Sequence, residues 1–159
     1  MDKLPKRKRL RVEDLDYSAP GAYFITVCTA KGEKILWSYC RGELCSPADT
    51  PLSHIGIIVN KELLKLNTVY AALRVDKYCI MPDHIHMILS IDTDADGRPQ
   101  VAPTISRVIQ QFKGAVTKQA GRSVWQKSFY DHGIRNQQDY AEIGEYIENN
   151  PLKYAKRTP

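Results

Sequence analysis

Apolar and polar positions along the chain follow a strand-like pattern in several segments. Residues 22–29 are rich in β-branched and aromatic side chains and follow Pro20-Gly21, which predicts a strand. Residues 73–81 and 84–91 predict two further strands joined at Pro82-Asp83. Residues 33–39 are predicted to be the hairpin partner of the first strand, with the turn at 31–32, and residues 124–134 are predicted to be the last strand.

Three other segments carry apolar residues at helical spacing. Residues 53–66 predict a helix capped by Thr50 or Ser53, and residues 104–120 predict a second helix. Residues 137–150 predict a final helix that begins after Asn136 and stops at Pro151. The polar stretch 92–103 is predicted to be a loop.

The order of these elements predicts the fold. Its centre is a β-α-β-β-α-β unit, the ferredoxin-like arrangement, in which both helices cover one face of an antiparallel sheet. The other face then needs a cover, and the final helix is available for it. We therefore expect an α+β protein with a ferredoxin-like antiparallel sheet and an added C-terminal helix.

Composition narrows the class of protein. With 159 residues, 43% of them hydrophobic and 26% charged, the chain fits one globular domain, residues 15–159, behind a short tail, residues 1–14. It has no apolar run of roughly 18 residues and no secretory signal pattern, so we expect no membrane partner. Its four cysteines form no Cys-x-x-Cys pair. Together these features predict a cytoplasmic protein with reduced thiols.

The excess positive charge lies in the N-terminal tail. Residues 1–11 hold six bases and one acid, which accounts for the whole formal charge of +5. Such a tail is either a solvated end or an arm that binds nucleic acid. Residues 97–130 also hold six bases and no acid, and could be an ordinary exposed face or follow a phosphate backbone. The candidate DNA-binding residues are Lys6, Arg7, Lys8, Arg9, Arg11, Arg107, Lys113 and Lys118.

His84 and His86 form the first candidate chemical motif. Residues two apart on a strand point to the same side, so both imidazoles would stand together as metal ligands require. Ile85 and Met87 would face the core. His-x-His alone is a weak signal, and the alternative is two unrelated histidines on a half-exposed strand.

Tyr146 and Asn150 form the second motif, because residues four apart share one face of a helix. An asparagine oxygen could complete a cation site begun by two histidines and leave positions open for water and a phosphate oxygen. Tyr146 would then lie one turn away as a nucleophile. Taken alone, a tyrosine on an amphipathic helix is more often a packing residue.

Together the motifs resemble the HUH single-tyrosine transposases, and more closely their REP-associated tyrosine transposase branch. The resemblance rests on the His-hydrophobic-His strand and the helix with Tyr-Ile-x-x-Asn-Pro, and covers roughly residues 15–155. Residues 17–26, 78–86 and 125–132 support it. The simpler insertion-sequence branch carries Gln where this chain has Asn150, which points to the REP-associated branch.

The resemblance implies an enzyme that cuts and rejoins single-stranded hairpin DNA, with Tyr146 as the nucleophile that becomes joined to the 5′ phosphate. His84, His86 and Asn150 would hold Mg²⁺ or Mn²⁺, and His132 could be an accessory residue. The REP-associated branch implies a monomer acting in cis, while a dimer with the tyrosine in trans stays open. The alternatives are a palindrome-binding module without activity, a different HUH nuclease or an ordinary metal hydrolase.

Overall fold

The computed structural model describes residues 21–40, 43–44, 52–91 and 104–157. Its elements, in chain order, are β1 (Gly21–Cys28), a short 3-10 turn (Ala30–Gly32), β2 (Tyr39–Cys40), β3 (Glu43–Leu44), α1 (His54–Val69), β4 (Leu73–Ile80), β5 (His84–Ile91), α2 (Ile105–Ala120), β6 (Tyr130–Gly133) and α3 (Gln137–Arg157). The N-terminal tail, Thr50 and the predicted loop 92–103 lie outside the described residues.

The main sheet has four antiparallel strands in the order β4-β5-β1-β6. Strand β1 pairs with β5 on one side and with β6 on the other. Helices α1 and α2 connect these strands in the predicted β-α-β-β-α-β order. The α+β fold with an antiparallel sheet is therefore confirmed.

One face of the sheet packs against α1 and α2. The side chains of Ile25, Met87 and Phe112 are almost fully buried in this large apolar cluster. The Ser53 hydroxyl accepts a hydrogen bond from the Gly56 amide at the start of α1, and Thr104 caps α2 in the same way. Both predicted helices thus begin where their capping residues place them.

The opposite face packs against α3, mainly where α3 crosses β4. A smaller apolar cluster holds this helix to the sheet, and it consists of Trp37, Cys79, Met81, Ile88 and Ile147. The OH of Tyr140 also donates to Asp76 Oδ2 at 3.0 Å. As predicted from the fold, the final helix covers the second face.

Three sequence predictions need correction. Residues 33–39 are not the hairpin partner of β1, because β5 and β6 occupy both of its edges. The last strand is shorter than residues 124–134 and comprises Tyr130–Gly133. Helix α3 continues past Pro151 to Arg157, because a proline removes one amide donor but its φ is compatible with a helix.

Within the described residues, no helix has the length and apolar character needed to cross a membrane.

Candidate functional site

His84 and His86 lie together on the α3 face of β5. Their ring centroids are 4.7 Å apart, as alternate positions of a strand allow. Ile85 and Met87 point to the other face, into the core with α1 and α2. The structure thus brings the two predicted ligands side by side, and the pairing of β5 with β1 and β4 fixes them in place.

Each imidazole uses one ring nitrogen for a hydrogen bond within the protein. His84 Nδ1 lies 2.6 Å from Asp83 Oδ1, and His86 Nδ1 lies 2.7 Å from Thr26 Oγ1. Hydrogen bonds of this kind fix the orientation and tautomer of metal-binding histidines. The Nε2 atoms of both rings are then the ones left to bind a ligand.

His86 Nε2 is buried and has no hydrogen-bond partner among the described residues. His86 is only 7% exposed. Burial, together with the neighbouring His84, lowers the pKa of His86 to about 4. The ring is therefore neutral at pH 7, and in the tautomer that donates its Nδ1–H to Thr26 Oγ1 the lone pair of Nε2 can bind a cation.

Tyr146 lies on α3 next to the histidine pair. Its ring centroid is 5.4 Å from that of His86 and 6.3 Å from that of Phe24. Phe24 in turn stacks on His86 at 5.3 Å. Tyr146 is 46% exposed, so a large substrate can approach it from solvent.

Two neighbouring residues fix the position of Tyr146 on the sheet. Ile147 is buried against β4 and β5, and Lys77 Nζ of β4 lies 2.7 Å from Glu148 Oε1. Ile147 and Glu148 follow Tyr146 directly on α3. The nucleophile predicted from the sequence is thus held on a packed helix and not on a loop.

Asn150 follows Tyr146 by one helical turn and is half-buried. Its amide nitrogen is buried and has no hydrogen-bond partner in the described part of the chain. Rotation of the amide by a half-turn exchanges its nitrogen and oxygen, so the side chain can offer either atom.

The candidate donor set for a cation consists of the Nε2 atoms of His84 and His86 and the amide oxygen of Asn150. Among the described residues, no group of three or more His, Cys, Asp or Glu side chains is placed to hold a metal. A set made of His84, His86 and Asn150 contains only two residues of those types. The unbonded Nε2 of His86 fits a metal ligand, and so does the neutral state of its ring.

The candidate DNA-binding residues that the structure describes all lie on α2. Lys6, Arg7, Lys8, Arg9 and Arg11 lie outside the described residues. Arg107 and Lys118 are exposed on α2, on the far side of the sheet from Tyr146.

Lys113 is half-buried, and its ammonium donates to the carbonyl oxygens of Gln126 and Ser128 at 2.7 and 2.9 Å. Burial lowers the pKa of Lys113. Its ammonium supports the chain that leads to β6, and its DNA contact stays a prediction.

The other candidates considered from the sequence have different surroundings. His132 on β6 places Nε2 3.0 Å from Asp139 Oδ2, at the first turn of α3. Tyr140 is hydrogen-bonded to Asp76 and packs at the edge of the α3 cluster. Tyr130 is half-exposed on β6. Thr26 and Phe24 were not predicted as site residues, although the alternation of β1 places both on the same face.

Comparison with known proteins identifies the family of the chain. Residues 60–150 match the family described as Transposase IS200 like, and the matched segment contains His84, His86, Tyr146 and Asn150. The match covers more than half of the chain. The chain therefore belongs to the IS200-like transposase family. Its relatives with a named activity are transposases, which are enzymes.

Its relatives confirm the resemblance to the REP-associated branch. The chain is 28% identical over 81 residues to the REP-associated tyrosine transposase of Escherichia coli K12, an alignment that covers 50% of this chain and 45% of that protein. It is 29% identical over 165 residues to an uncharacterised protein of Haemophilus influenzae Rd, covering 92% of this chain and 88% of that one.

A solved structure shares the fold. It is that of a REP-associated tyrosine transposase bound to a REP hairpin, with a TM-score of 0.64 and 21% identity. The superposition covers 91% of this chain and 74% of the other.

Proposed function

We propose that this transposase cleaves and rejoins single-stranded DNA next to REP-like hairpins, in a metal-dependent reaction through a 5′-phosphotyrosine intermediate. The main support is the position of Tyr146. Its ring is half-exposed and lies 5.4 Å from that of His86, whose Nε2 has no partner among the described residues. The proposed nucleophile therefore lies beside the proposed metal ligand.

In the proposed cleavage step, Tyr146 Oη attacks the scissile phosphorus. The Oη–P bond forms as the P–O3′ bond breaks, and the phenolic proton leaves through solvent while the departing 3′ oxygen gains one. The products are a 5′-phosphotyrosine and a free 3′-OH. One phosphodiester replaces another, so the step needs no ATP, and attack by a 3′-OH reverses it.

His84, His86 and Asn150 would hold Mg²⁺ or Mn²⁺, which when bound supplies positive charge to the phosphate oxygens. The protein residues around them have their own roles. Asp83 and Thr26 orient the two imidazoles through Nδ1, at 2.6 and 2.7 Å.

Phe24 stacks on the ring of His86 and meets the ring of Tyr146 edge-on, and these contacts limit the rotation of both rings. The reacting groups are thus ordered before the DNA arrives, which lowers the entropic cost of bringing them together.

The proposed substrate is a hairpin with a single-stranded flank. The solved relative with the same fold is described as bound to a REP hairpin, and this chain has a similar arrangement of strands and helices over most of its length. The predicted basic tail would add contacts to the hairpin phosphates. We propose a monomer that acts in cis, since Tyr146 reaches His86 within one chain.

The test is a covalent adduct. A hairpin oligonucleotide with single-stranded flanks, labelled at its 3′ end, is incubated with Mn²⁺, and the protein–DNA adduct is separated under denaturing conditions. The labelled fragment carries the 5′ phosphate and is therefore retained on the protein. We expect an adduct with the natural protein and none with Tyr146→Phe.

Tyr140→Phe is the matched control, because it removes a tyrosine hydroxyl from the same helix while leaving Tyr146 in place. It should still form the adduct. An adduct that persists in Tyr146→Phe would refute the assigned nucleophile. Tight, salt-dependent hairpin binding without cleavage in any divalent metal would favour a palindrome-binding module instead.

A further inference from the structure

Helix α3 contacts the strands of its sheet face to different extents. Helix α3 packs on β4 and, to a smaller extent, on β5. The pairing of β1 with β6 places Thr26 opposite Tyr130 and Phe24 opposite His132. Directly opposed residues of an antiparallel pair point to the same side. Tyr130 and His132 therefore lie on the same face as His86 and Tyr146. His132 contacts Asp139 in the first turn of α3, and Tyr130 lies two residues before it on β6.

Tyr130, Thr26 and His86 occupy facing positions on three adjacent strands. Thr26 hydrogen-bonds to His86 on one neighbouring strand and is opposed by Tyr130 on the other. Strands are spaced about 4.8 Å apart, so β6 runs ~10 Å from β5. Tyr130 is thus one strand beyond the residue that orients His86, a distance that a nucleotide next to the reacting phosphate can span.

The ring of Tyr130 is 50% exposed although it belongs to a strand of the main sheet. Its backbone is nevertheless firmly placed. Phe129 before it is buried in the core with α1 and α2, and the Lys113 ammonium binds the carbonyl oxygens of Gln126 and Ser128. An aromatic ring that is held in position and left open to solvent is suited to stacking against a planar ligand.

We propose that Tyr130 is a positioning residue whose ring stacks on an unpaired base flanking the scissile phosphate. The inference rests on the proposed function, because it assigns a binding role within the same site. DNA that meets Tyr146 cannot follow the part of the sheet covered by α3, whereas the exposed ring of Tyr130 lies on the same face. Stacking on an aromatic ring accepts any base, so this contact positions the flank without selecting its sequence.

The binding test compares two DNA molecules, a hairpin with a single-stranded flank and the same hairpin without it. We expect Tyr130→Ser to weaken binding of the flanked hairpin roughly 5- to 100-fold, the range for loss of one stacked base. Binding of the hairpin without the flank should stay unchanged. Tyr130→Phe keeps the ring and should retain affinity for both.

Ile57→Ser is the matched control, because Ile57 is a similarly exposed apolar residue on α1, on the other face of the sheet. It should change neither affinity. Equal affinity of Tyr130→Ser and the natural protein for the flanked hairpin would overturn the proposal. A parallel loss for both DNA molecules would overturn it as well, since the effect would then not involve the flank.

A fluorescent base reports the contact directly. 2-Aminopurine is placed in turn at each flank position, and its fluorescence is expected to be quenched at one position by the natural protein and by Tyr130→Phe but not by Tyr130→Ser. Quenching that is the same for all three proteins at every position would overturn the proposal.

The adduct assay separates this inference from the proposed function. If the natural protein forms the adduct and Tyr130→Ser binds and cleaves the flanked hairpin equally well, the stacking role alone is wrong. If no adduct forms but the flank still binds through the ring of Tyr130, the stacking role holds and the proposed cleavage is wrong.

Discussion

The two faces of the main sheet are built from the same strands but differ in content. The face toward α1 and α2 is closed by a large apolar cluster that includes Ile25, Ile85 and Phe112. The face toward α3 has a small cluster and, beside it, a buried imidazole with an unbonded nitrogen. Because alternate residues of a strand point to opposite faces, one position along β1 or β5 separates a core residue from a site residue.

The difference suggests that stability and chemistry reside on opposite sides of one sheet. Large apolar residues toward α1 and α2 supply most of the buried apolar surface, which is the main source of folding free energy. Two polar atoms toward α3, His86 Nε2 and the amide nitrogen of Asn150, have no hydrogen-bond partner among the described residues, which costs stability but leaves them free to bind a ligand. Substitutions should therefore have different effects on the two faces.

The largest expected effect on stability is on the α1–α2 face. Phe112 is 2% exposed, and Phe112→Ala should lower the free energy of unfolding by about 3–5 kcal/mol, through lost burial and an internal cavity. Phe24→Ala should lower the free energy of unfolding less, because Phe24 is only partly buried. Its main effect should be a lower yield of the covalent adduct. Urea unfolding monitored by circular dichroism measures the free energy of unfolding. Equal losses of unfolding free energy in Phe112→Ala and Phe24→Ala would contradict the proposed separation of stability and chemistry between the two faces.

Two glycines extend the comparison to helix packing. A Cβ at Gly56 on α1 would overlap the backbone carbonyl oxygen of Leu36, whereas a Cβ at Gly144 on α3 would lie 3.1 Å from Lys77 Nζ, the end of a flexible side chain. Gly56→Ala should therefore cost about 1–3 kcal/mol of unfolding free energy, as overpacking typically does.

Gly144→Ala serves as its control and should be near neutral, because Lys77 can move and alanine favours a helix by about 1 kcal/mol over glycine. Thermal unfolding of both variants measures the difference. If Gly144→Ala is the more damaging of the two, α3 is packed as tightly as α1 and the contrast between the faces fails.

On the α3 face, the expected effect is on metal binding. Thr26→Val and Asp83→Asn each remove or weaken a hydrogen bond that orients one imidazole. Each should lower Mn²⁺ affinity by roughly 10- to 100-fold with little change in unfolding temperature. Calorimetric titration with Mn²⁺ measures the affinity. Thr68→Val, the same change at an exposed position of α1, should leave it unchanged.

The smallest expected effect is a pH dependence on the core face. Glu62 is 7% exposed on α1, and burial alone would raise its pKa. Hydrogen bonds from Gln119 and Lys65 outweigh burial and hold the pKa of Glu62 below its usual value. A lowered folded-state pKa adds stability above the unfolded-state value, and this contribution is lost as pH falls through the folded-state pKa.

Glu62→Gln removes that contribution. The natural protein should therefore lose more unfolding free energy than Glu62→Gln as pH is lowered from neutral through the acidic range, and urea unfolding at a series of pH values measures this. Parallel curves for the two proteins would show that Glu62 does not titrate with a lowered pKa.

Much of the fold could be predicted because its signals are local. Helices α1 and α2 begin after Ser53 and Thr104, which cap them through contacts only three residues away. The strand prediction for residues 33–39 was wrong because local composition does not tell whether a neighbouring strand has a free edge. Here the edges of β1 are filled by β5 and β6, and the Leu36 amide bonds to the Pro82 carbonyl instead.

The candidate site shows the same limit. His84 with His86, and Tyr146 with Asn150, are pairs within single elements, so their spacing in the sequence is enough to predict that they share a face. Thr26 is 60 residues from His86 along the chain. Their contact depends on the register between β1 and β5, which a single sequence does not specify.

Helix α3 carries Tyr146 and Asn150 together, whereas His84 and His86 are carried by β5. If these four residues form the active site, as proposed, inactivating substitutions fall into two groups, one for each element, that can be tested for complementation. If each copy uses its own α3, co-expressed His86→Ala and Tyr146→Phe proteins should remain inactive. If copies exchange α3, the pair should rebuild one intact site, and activity should return in the mixture alone.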